Sequence, residues 1–381
     1  MHAMKIRMLT DGINSLKKKI KPFFRHLPPM RSFYRAMRKM PLWGIDDVRR
    51  ENDMFEIAGW ALPPAKGPAA AGFALNGNPF ADIRYPLPRP DIQQAFWWVP
   101  RNLSSGFHCR TPLPRERPQA QATVTLEYVA KKTGRPFCED HNFYYCLDDD
   151  LPIPPPEKRR RVQGTENECF FLLEGHSMYV KLQRALQKHV GKNYSHFPRL
   201  LDWGCGCGRL ARHFKKEAAL HLTGLDIDKD NIAWCDKNLG FGTFQSIPLH
   251  PPTRLEAGSF DLMIGISVFT HLTEDVQEEW LSELRRLAAP GAVLLMTIHG
   301  MTSFMRSGGL KPLLKFSLSR GFLDVGDCTD LGDFIDNPHY YRGIFHSAKY
   351  IKKHWSKHFD IVTIIPGYIG NNQDLVILRN R

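Results

Sequence analysis

The most constraining feature of the chain is the stretch Leu200 to Gly208. An apolar run ends on Asp202, and glycine then fills every second place, at Gly204, Gly206 and Gly208. Glycine lets the backbone take φ > 0 and approach a ligand closely, because no Cβ intervenes. Arg209 to Phe214 reads as the start of a helix, whose unpaired N–H groups and dipole favour polar or anionic ligand groups. A second apolar run, His221 to Leu225, ends on Asp226, 18 residues after Gly208. A carboxylate at such a strand end can accept from both hydroxyls of a ribose. The pattern predicts a nucleoside-bearing cofactor at the carboxyl ends of a parallel sheet.

The loop alone admits two cofactors. Gly206, Gly208 and Ala211 also satisfy GxGxxA, the dinucleotide pattern, so a nicotinamide-dependent oxidoreductase is one alternative. Asp202 argues against it, because an acid at the mouth of the first strand repels a pyrophosphate and attracts an ammonium. Further along, Gly258 to Asp261 leads into the apolar strand Leu262 to Ile266, followed by Ser267 to Leu272. An amphipathic helix, Pro290-Gly291 and the strand Ala292 to Ile298 come next.

In their order and spacing, the DxGxGxG loop, the acid closing the second strand, the Phe260-Asp261-Leu262 strand and the Pro-Gly turn resemble those of the class I S-adenosylmethionine-dependent methyltransferases. The resemblance covers roughly residues 165–381. It implies an α/β fold with a Rossmann-like, doubly wound sheet and S-adenosyl-L-methionine as cofactor. Gly204, Cys205, Gly206 and Gly208 would pass under the methionine part and Asp202 would hold its amino group. Asp226 would take the ribose hydroxyls, Ile227 would lie against adenine, and Ser267 would border the methyl-transfer site. One departure concerns the adenine amino group. The family often places an acid after the third strand, but no Asp or Glu occurs between Asp236 and Glu256, and Gln245 offers an amide oxygen instead.

Composition narrows the class. At 43% hydrophobic and 24% charged residues, with no apolar run near the ~20 residues of a membrane span and no secretory segment, the chain reads as a globular protein of the cytoplasm. Eight cysteines without a paired framework suit a reducing compartment. Cys205 and Cys207 read as small residues of a tight turn rather than metal ligands, and no metal is expected.

The net charge of +13 is concentrated at one end, since residues 1–40 hold eleven Lys or Arg and one acid, Asp11. Residues 1–45 therefore form a basic segment. Its apolar residues Ile6, Leu9, Ile13, Leu16, Ile20, Phe23 and Leu27 sit at helical spacing, predicting a basic amphipathic helix. Such a helix can lie on an anionic membrane surface, peripheral to its inner face, or pack on a neighbouring domain. The remainder is nearly balanced, unlike the basic surface that nucleic acid requires.

Residues 148–165, with four prolines, an acid cluster and four consecutive bases, read as a linker. Residues 50–147 read as a small all-β sandwich. Its strands are Phe55 to Leu62, Gly72 to Leu75, Ala122 to Val129 and Phe143 to Leu147, with a hairpin turn at Asn76-Gly77. Gly59-Trp60-Ala61, Arg89-Pro90-Asp91-Ile92 and Ser105-Gly106-Phe107 are similar to an accessory module found beside methyltransferase and glycosyltransferase domains in bacterial surface-polysaccharide proteins. Trp97 and Trp98 either stack on a sugar or divide between core and surface.

Residues 166–381 make the catalytic domain. A helix over 169–190 precedes the first strand and would carry Tyr179 toward the cofactor. Thr273 is the expected N-cap of a helix whose stripe Val276, Trp280, Leu284 and Leu287 covers the sheet. Met301 to Gly343 shows no strand pattern and suits an acceptor-binding loop. A helix from His346 to His358 and strands at Asp360 to Ile365 and Leu375 to Leu378 close the chain.

A hydroxyl acceptor needs a base, and His271 and His299, just past the fourth and fifth strands, are the candidates, with Asp374 as an orienting carboxylate for His299. Ile266 to Phe269 lacks the Asn/Asp-Pro-Pro-aromatic motif of amino-methylating nucleic-acid enzymes, and the chain has no Pro-Cys dipeptide for attack on cytosine carbon. The expected reaction is methylation of a small molecule or a glycan hydroxyl in surface polysaccharide synthesis. A non-catalytic, cofactor-binding scaffold is the other alternative.

Overall fold

The computed structural model describes residues 43–381 except 52, 65, 97–102, 114–122, 307–315, 317–318, 329–336 and 338. The basic amphipathic segment, apart from its last three residues, and the Trp97-Trp98 pair lie outside the described residues.

The N-terminal part comprises β1 (Trp43–Glu51), β2 (Met54–Ala61), β3 (Ala71–Leu75), β4 (Asn78–Pro79), β5 (Asp82–Pro88), α1 (Pro90–Ala95), β6 (Ser104–Pro112), β7 (Thr123–Ala130) and β8 (Phe143–Cys146). They form two antiparallel sheets, in the orders β1-β2-β6-β5 and β4-β3-β7-β8. Alternation along β2 and β7 sends every second side chain inward, as a half-buried strand requires. Phe55, Ile57 and Phe107 of one sheet share a core with Phe73, Leu126 and Tyr128 of the other. Trp43 sits among them, edge-on to Phe143 at 5.1 Å. Asn76 and Gly77 take φ of 51° and 77°, the positive values that a two-residue hairpin turn demands. Strands β1, β5 and β6 carry no clear sequence signal. In β1 a charged run masks the buried Trp43, Ile45 and Val48, and β5 is an edge strand with two prolines and no buried residue.

The second part follows as α2 (Pro156–Gln163), α3 (Glu168–Val190), β9 (Arg199–Trp203), β10 (His221–Asp226), α4 (Lys229–Asn238), β11 (Gly242–Ser246), β12 (Phe260–Gly265), α5 (Glu274–Leu287), β13 (Ala288–Ile298), α6 (Met301–Arg306), β14 (Phe322–Asp327), β15 (Arg342–His346), α7 (Ala348–His354), β16 (Asp360–Ile369) and β17 (Gln373–Arg379). Seven strands make one sheet in the order β11-β10-β9-β12-β13-β17-β16. The first five run parallel and β17 is antiparallel to both its neighbours. Strands β9, β12 and β13 are fully buried in their middles, because helices cover both faces of the sheet. The chain reverses its direction of winding between β9 and β12, which opens a crevice at their carboxyl ends. No helix among the described residues is long and apolar enough to cross a membrane.

The stripe Val276, Trp280, Leu284 and Leu287 is buried against the sheet as its period predicts. Helix α3 stops at Gly191, whose φ of 75° gives the left-handed cap that glycine adopts without penalty.

Three local expectations are corrected, and one, the N-cap, is met without its side-chain bond. Arg209 to Phe214 does not start an α-helix; a six-residue 3₁₀ turn spans Ala211–Lys216. Tertiary bonds override the local propensity there. Arg212, wholly buried, donates twice to Asp149 (2.8 and 2.6 Å) and once each to the carbonyls of Leu151 and Pro152. Those same bonds pin the segment read as a linker, and its basic run forms α2. Thr273 occupies the N-cap position of α5, but its side chain makes no capping bond. The stretch from Met301 to Gly343 is not strandless, since β14 pairs with β15 and Arg342 bridges Asp324 and Asp327.

Arg212→Ala is expected to destabilise the fold by about 3 kcal/mol, because it strands the buried Asp149 carboxylate. Arg199→Ala, at the more exposed pair with Asp261, is expected to cost under about 1 kcal/mol. Urea unfolding followed by circular dichroism compares the two, and equal losses would contradict the assignment of Arg212 as a structural anchor.

Candidate active site

The loop leaving β9 crosses the tip of β10. The N–H groups of Gly204 and Cys205 both donate to the Leu225 carbonyl (2.7 and 3.1 Å), and Gly206 N–H donates to Asp226 Oδ2 (2.7 Å). Gly204 and Gly206 hold φ of 75° and 54°. A Cβ on Gly204 would strike Val268, and one on Gly206 would strike Val162 of α2. These two positions are thus closed to any side chain on both strain and space. Gly208 also has positive φ, but its missing Cβ makes room for Leu239 and Cys235 in the core, so it shapes the turn from behind.

Around this turn lies a cleft of about 170 Å³. Asp202, Gly204, Cys205, Gly206, Asp226, Ile227, Ser267 and His271 all line it, which brings most of the sequence-predicted site together. Asp202 is 2% exposed, and its Oδ2 is buried with no hydrogen-bond partner among the described residues. Burial, with the Asp226 charge next to it, pushes its carboxyl up to about 7. Asp226 accepts from the N–H groups of Gly206 and Asp228. Burial raises it to about 6 although those backbone bonds pull the other way. A carboxylate has about four acceptor positions, so two remain for a ligand.

Ser267 has φ of 60°, an uncommon value for a residue with a side chain. Its N–H donates to Thr297 Oγ1, its carbonyl accepts from Thr270, and its Oγ accepts from Gln373 Nε2 at 2.7 Å. Three bonds over-determine the strained backbone at the cleft wall. The His271 ring stacks on Tyr341 with centroids 3.8 Å apart, and Nδ1 lies 2.9 Å from the Arg342 carbonyl. A carbonyl only accepts, so Nδ1 carries a proton and donates it there.

Other predicted positions fall elsewhere. Gln245 is exposed on β11 and does not line the cleft; Ile247, two residues on, does. Period-two alternation puts the two on the same side of the chain, but β11 is the sheet edge and only its carboxyl end reaches the cleft. His299 is absent from the cleft wall, packed on Phe345, and burial presses its ring down to about 4. Asp374 does not orient it. Its Oδ1 accepts from Gly367 N–H, and the carboxylate occupies the space that a Cβ on Gly300 would need. Tyr179 turns away from the cleft, donating to Glu217, and Met178 faces it instead. Periodicity predicts which helix crosses the cleft but leaves its rotation open by one residue.

The sequence reading also passes over Arg161, Val162 and Arg209, which line the cleft. Arg161 pairs with Asp228, closing α2 over the glycine turn. A run of four bases reads as solvated charge, and only the folded position of α2 shows otherwise.

Residues 201–294 match the methyltransferase domain family. Among solved structures, the chain is similar to the PH0226 protein from Pyrococcus horikoshii OT3, with 19% identity over 54% of this chain and 91% of that one (TM-score 0.38). It is also similar to an S-adenosylmethionine-dependent methyltransferase from Methanosarcina mazei, with 18% identity, 48% and 92% coverage and a TM-score of 0.35. The glycopeptide N-methyltransferase MtfA, solved with S-adenosyl-L-homocysteine, shows 14% identity, 53% and 89% coverage and a TM-score of 0.37. The family match displaces both the nicotinamide reading and the scaffold reading. The Asp202 oxygen, with no hydrogen-bond partner among the described residues, and the two turn positions closed to a Cβ suit an ammonium-bearing nucleoside. Residues 201–294, in the C-terminal half of the chain, belong to a methyltransferase domain, and the protein is an S-adenosyl-L-methionine-dependent methyltransferase.

Proposed function

We propose that the acceptor is a hydroxyl on a small molecule or glycan, with a sugar of a surface polysaccharide or its lipid-linked precursor as the leading candidate. The observation that carries the hydroxyl reading is His271, an imidazole on the cleft wall whose Nδ1 donates to the Arg342 carbonyl, which fixes the orientation of the ring. The polysaccharide reading is supported by the accessory-module motifs at Gly59 to Ala61, Arg89 to Ile92 and Ser105 to Phe107. The acceptor class also follows from the missing nucleic-acid motifs.

When bound, the cofactor supplies a methyl group on a sulfonium, already activated for in-line displacement. The protein's part is to hold and orient. Asp202 pairs with the ammonium, and Asp226 keeps its two remaining acceptor positions for the ribose hydroxyls. Ile227 and Ile247 offer apolar surface to adenine, while the turn through Gly204, Cys205 and Gly206 carries the methionine part. Ser267 borders the acceptor oxygen and His271 Nε2 accepts its proton. Positioning of this kind supplies up to ~7–11 kcal/mol of the barrier, and a placed base adds about 10²–10⁴ in rate.

Asp226→Ala should weaken S-adenosyl-L-homocysteine binding by at least about 1.5 kcal/mol by calorimetry; unchanged affinity removes Asp226 from the ribose. A second expectation concerns pH. The Asp202 carboxyl, held up to about 7, is mostly protonated at pH 6 and ionised at pH 8, and only the ionised form attracts an ammonium. Affinity should therefore rise roughly tenfold from pH 6 to pH 8, and Asp202→Asn should flatten the profile. A flat wild-type profile contradicts the assignment. Screening monosaccharides and nucleotide sugars for S-adenosyl-L-homocysteine release, with the product methyl located by NMR, tests the acceptor class. A methylated nitrogen or carbon would rule out the hydroxyl reading. On the acceptor so found, His271→Ala should slow turnover about a hundredfold without changing cofactor affinity.

A further inference from the structure

A second cavity, of about 370 Å³, abuts the cofactor cleft. The two share Val162, Met178, Arg209, Ile266 and Ser267 as a common wall. The N-terminal sheets build its far side through Gly44 and Asp46 of β1 and Trp60 of β2, and the turn from β16 to β17 closes it. An interior space thus runs from the N-terminal sheets to the strained Ser267, beside the cofactor.

The charges of this space are not evenly neutralised. The Arg306 guanidinium lies 5.3 Å over the Trp60 ring, which is 2% exposed and backed by Phe96 at 4.8 Å. A guanidinium has five N–H donors. The described residues take one of them, at the Asn371 carbonyl (3.3 Å). Asp46 is bound by Arg89 (2.6 Å), which also grips Asp91. Glu174 projects from α3 one turn before Met178 and makes no hydrogen bond or salt bridge to a described residue. Burial holds its carboxyl toward the neutral form. Arg209 has Glu174 and Asp202 as acidic neighbours, whereas the acid beside Arg306 is Asp46, whose carboxylate Arg89 already holds, so Arg306 is the cation of this space with donors left for an anion.

Resting on the hydroxyl-methyltransferase reading above, we propose that this cavity is the acceptor chamber and that it takes an acceptor bearing an oxyanion, carboxylate or phosphate, held by Arg306 with the reactive hydroxyl at Ser267. The fork of a guanidinium fits two oxygens of either group at once. Trp60 and Asn371 preorganise that fork, so little side-chain freedom is lost on binding. The N-terminal sheets then have a direct role, because they form the wall that reads the acceptor.

The test uses the full chain saturated with S-adenosyl-L-homocysteine and titrated with glucuronate, glucose 6-phosphate and glucose. At least one anionic sugar should bind about tenfold or more tightly than glucose, and which one does so separates carboxylate from phosphate. Arg306→Gln should abolish that preference while leaving S-adenosyl-L-homocysteine affinity unchanged, which also shows that the variant folds. Arg306→Lys should restore part of it through charge alone. Equal affinity for all three sugars, no sugar binding, or a preference that survives Arg306→Gln overturns the proposal. Failure of wild-type protein to bind S-adenosyl-L-homocysteine would instead strike the cofactor assignment.

Discussion

Asn371 is the point at which the two parts of the molecule are fastened together. It is wholly buried in the turn between β16 and β17, at φ of 52°. Its Nδ2 donates to the carbonyls of Trp43 and His141 in the N-terminal part, both at 3.0 Å, and its Oδ1 accepts from Lys181 of α3 at 3.1 Å. Lys181 also donates to the Tyr368 carbonyl, and desolvation lowers its ammonium to about 8. Buried polar groups of this kind are costly unless every partner is present. The network therefore fixes one register between the N-terminal sheets, α3 and the catalytic sheet. Both cavities depend on that register, since each is bounded by elements from more than one part.

The cofactor cleft shows how a site is kept electrostatically expectant. Asp202 and Asp226 end adjacent strands, and both carboxyls are pushed upward by burial. Backbone N–H groups of Gly206, Ile227 and Asp228 offset this at Asp226, and at Asp202 one oxygen has no hydrogen-bond partner among the described residues. A cationic, hydrogen-bonding ligand relieves what the protein alone leaves unbalanced. Above the cleft, α2 supplies Val162 and Arg161, so a segment rich in proline and charge closes over the most apolar turn of the site.

Several features were legible in the linear sequence because they depend on neighbours in the chain. Glycine spacing, the acids at two strand ends, the α5 stripe, the Gly191 cap and the Asn-Gly hairpin all express local backbone geometry. The misses have a common cause. Gln245 lies in β11 and Ile247 just past its end, and only the position of that strand at the sheet edge decides which lines the cleft. His271 and His299 both follow strand ends, but one turns onto the cleft wall and the other is packed behind it. Tyr179 and Met178 differ by one residue on α3, and the packing of Tyr179 against Tyr194 and Phe214 sets the rotation.

From the order of residues alone came the parallel sheet, its cofactor class and the acids at two of its strand ends, since each rests on short-range backbone conformation and strand polarity. The tertiary structure alone decided that the proline-rich basic stretch is a helix on the glycine turn. It also decided that Arg306 is aimed across Trp60 and that the N-terminal sheets enclose a space reaching Ser267. Those outcomes depend on contacts between residues tens to hundreds of positions apart, and no local propensity encodes such a distance.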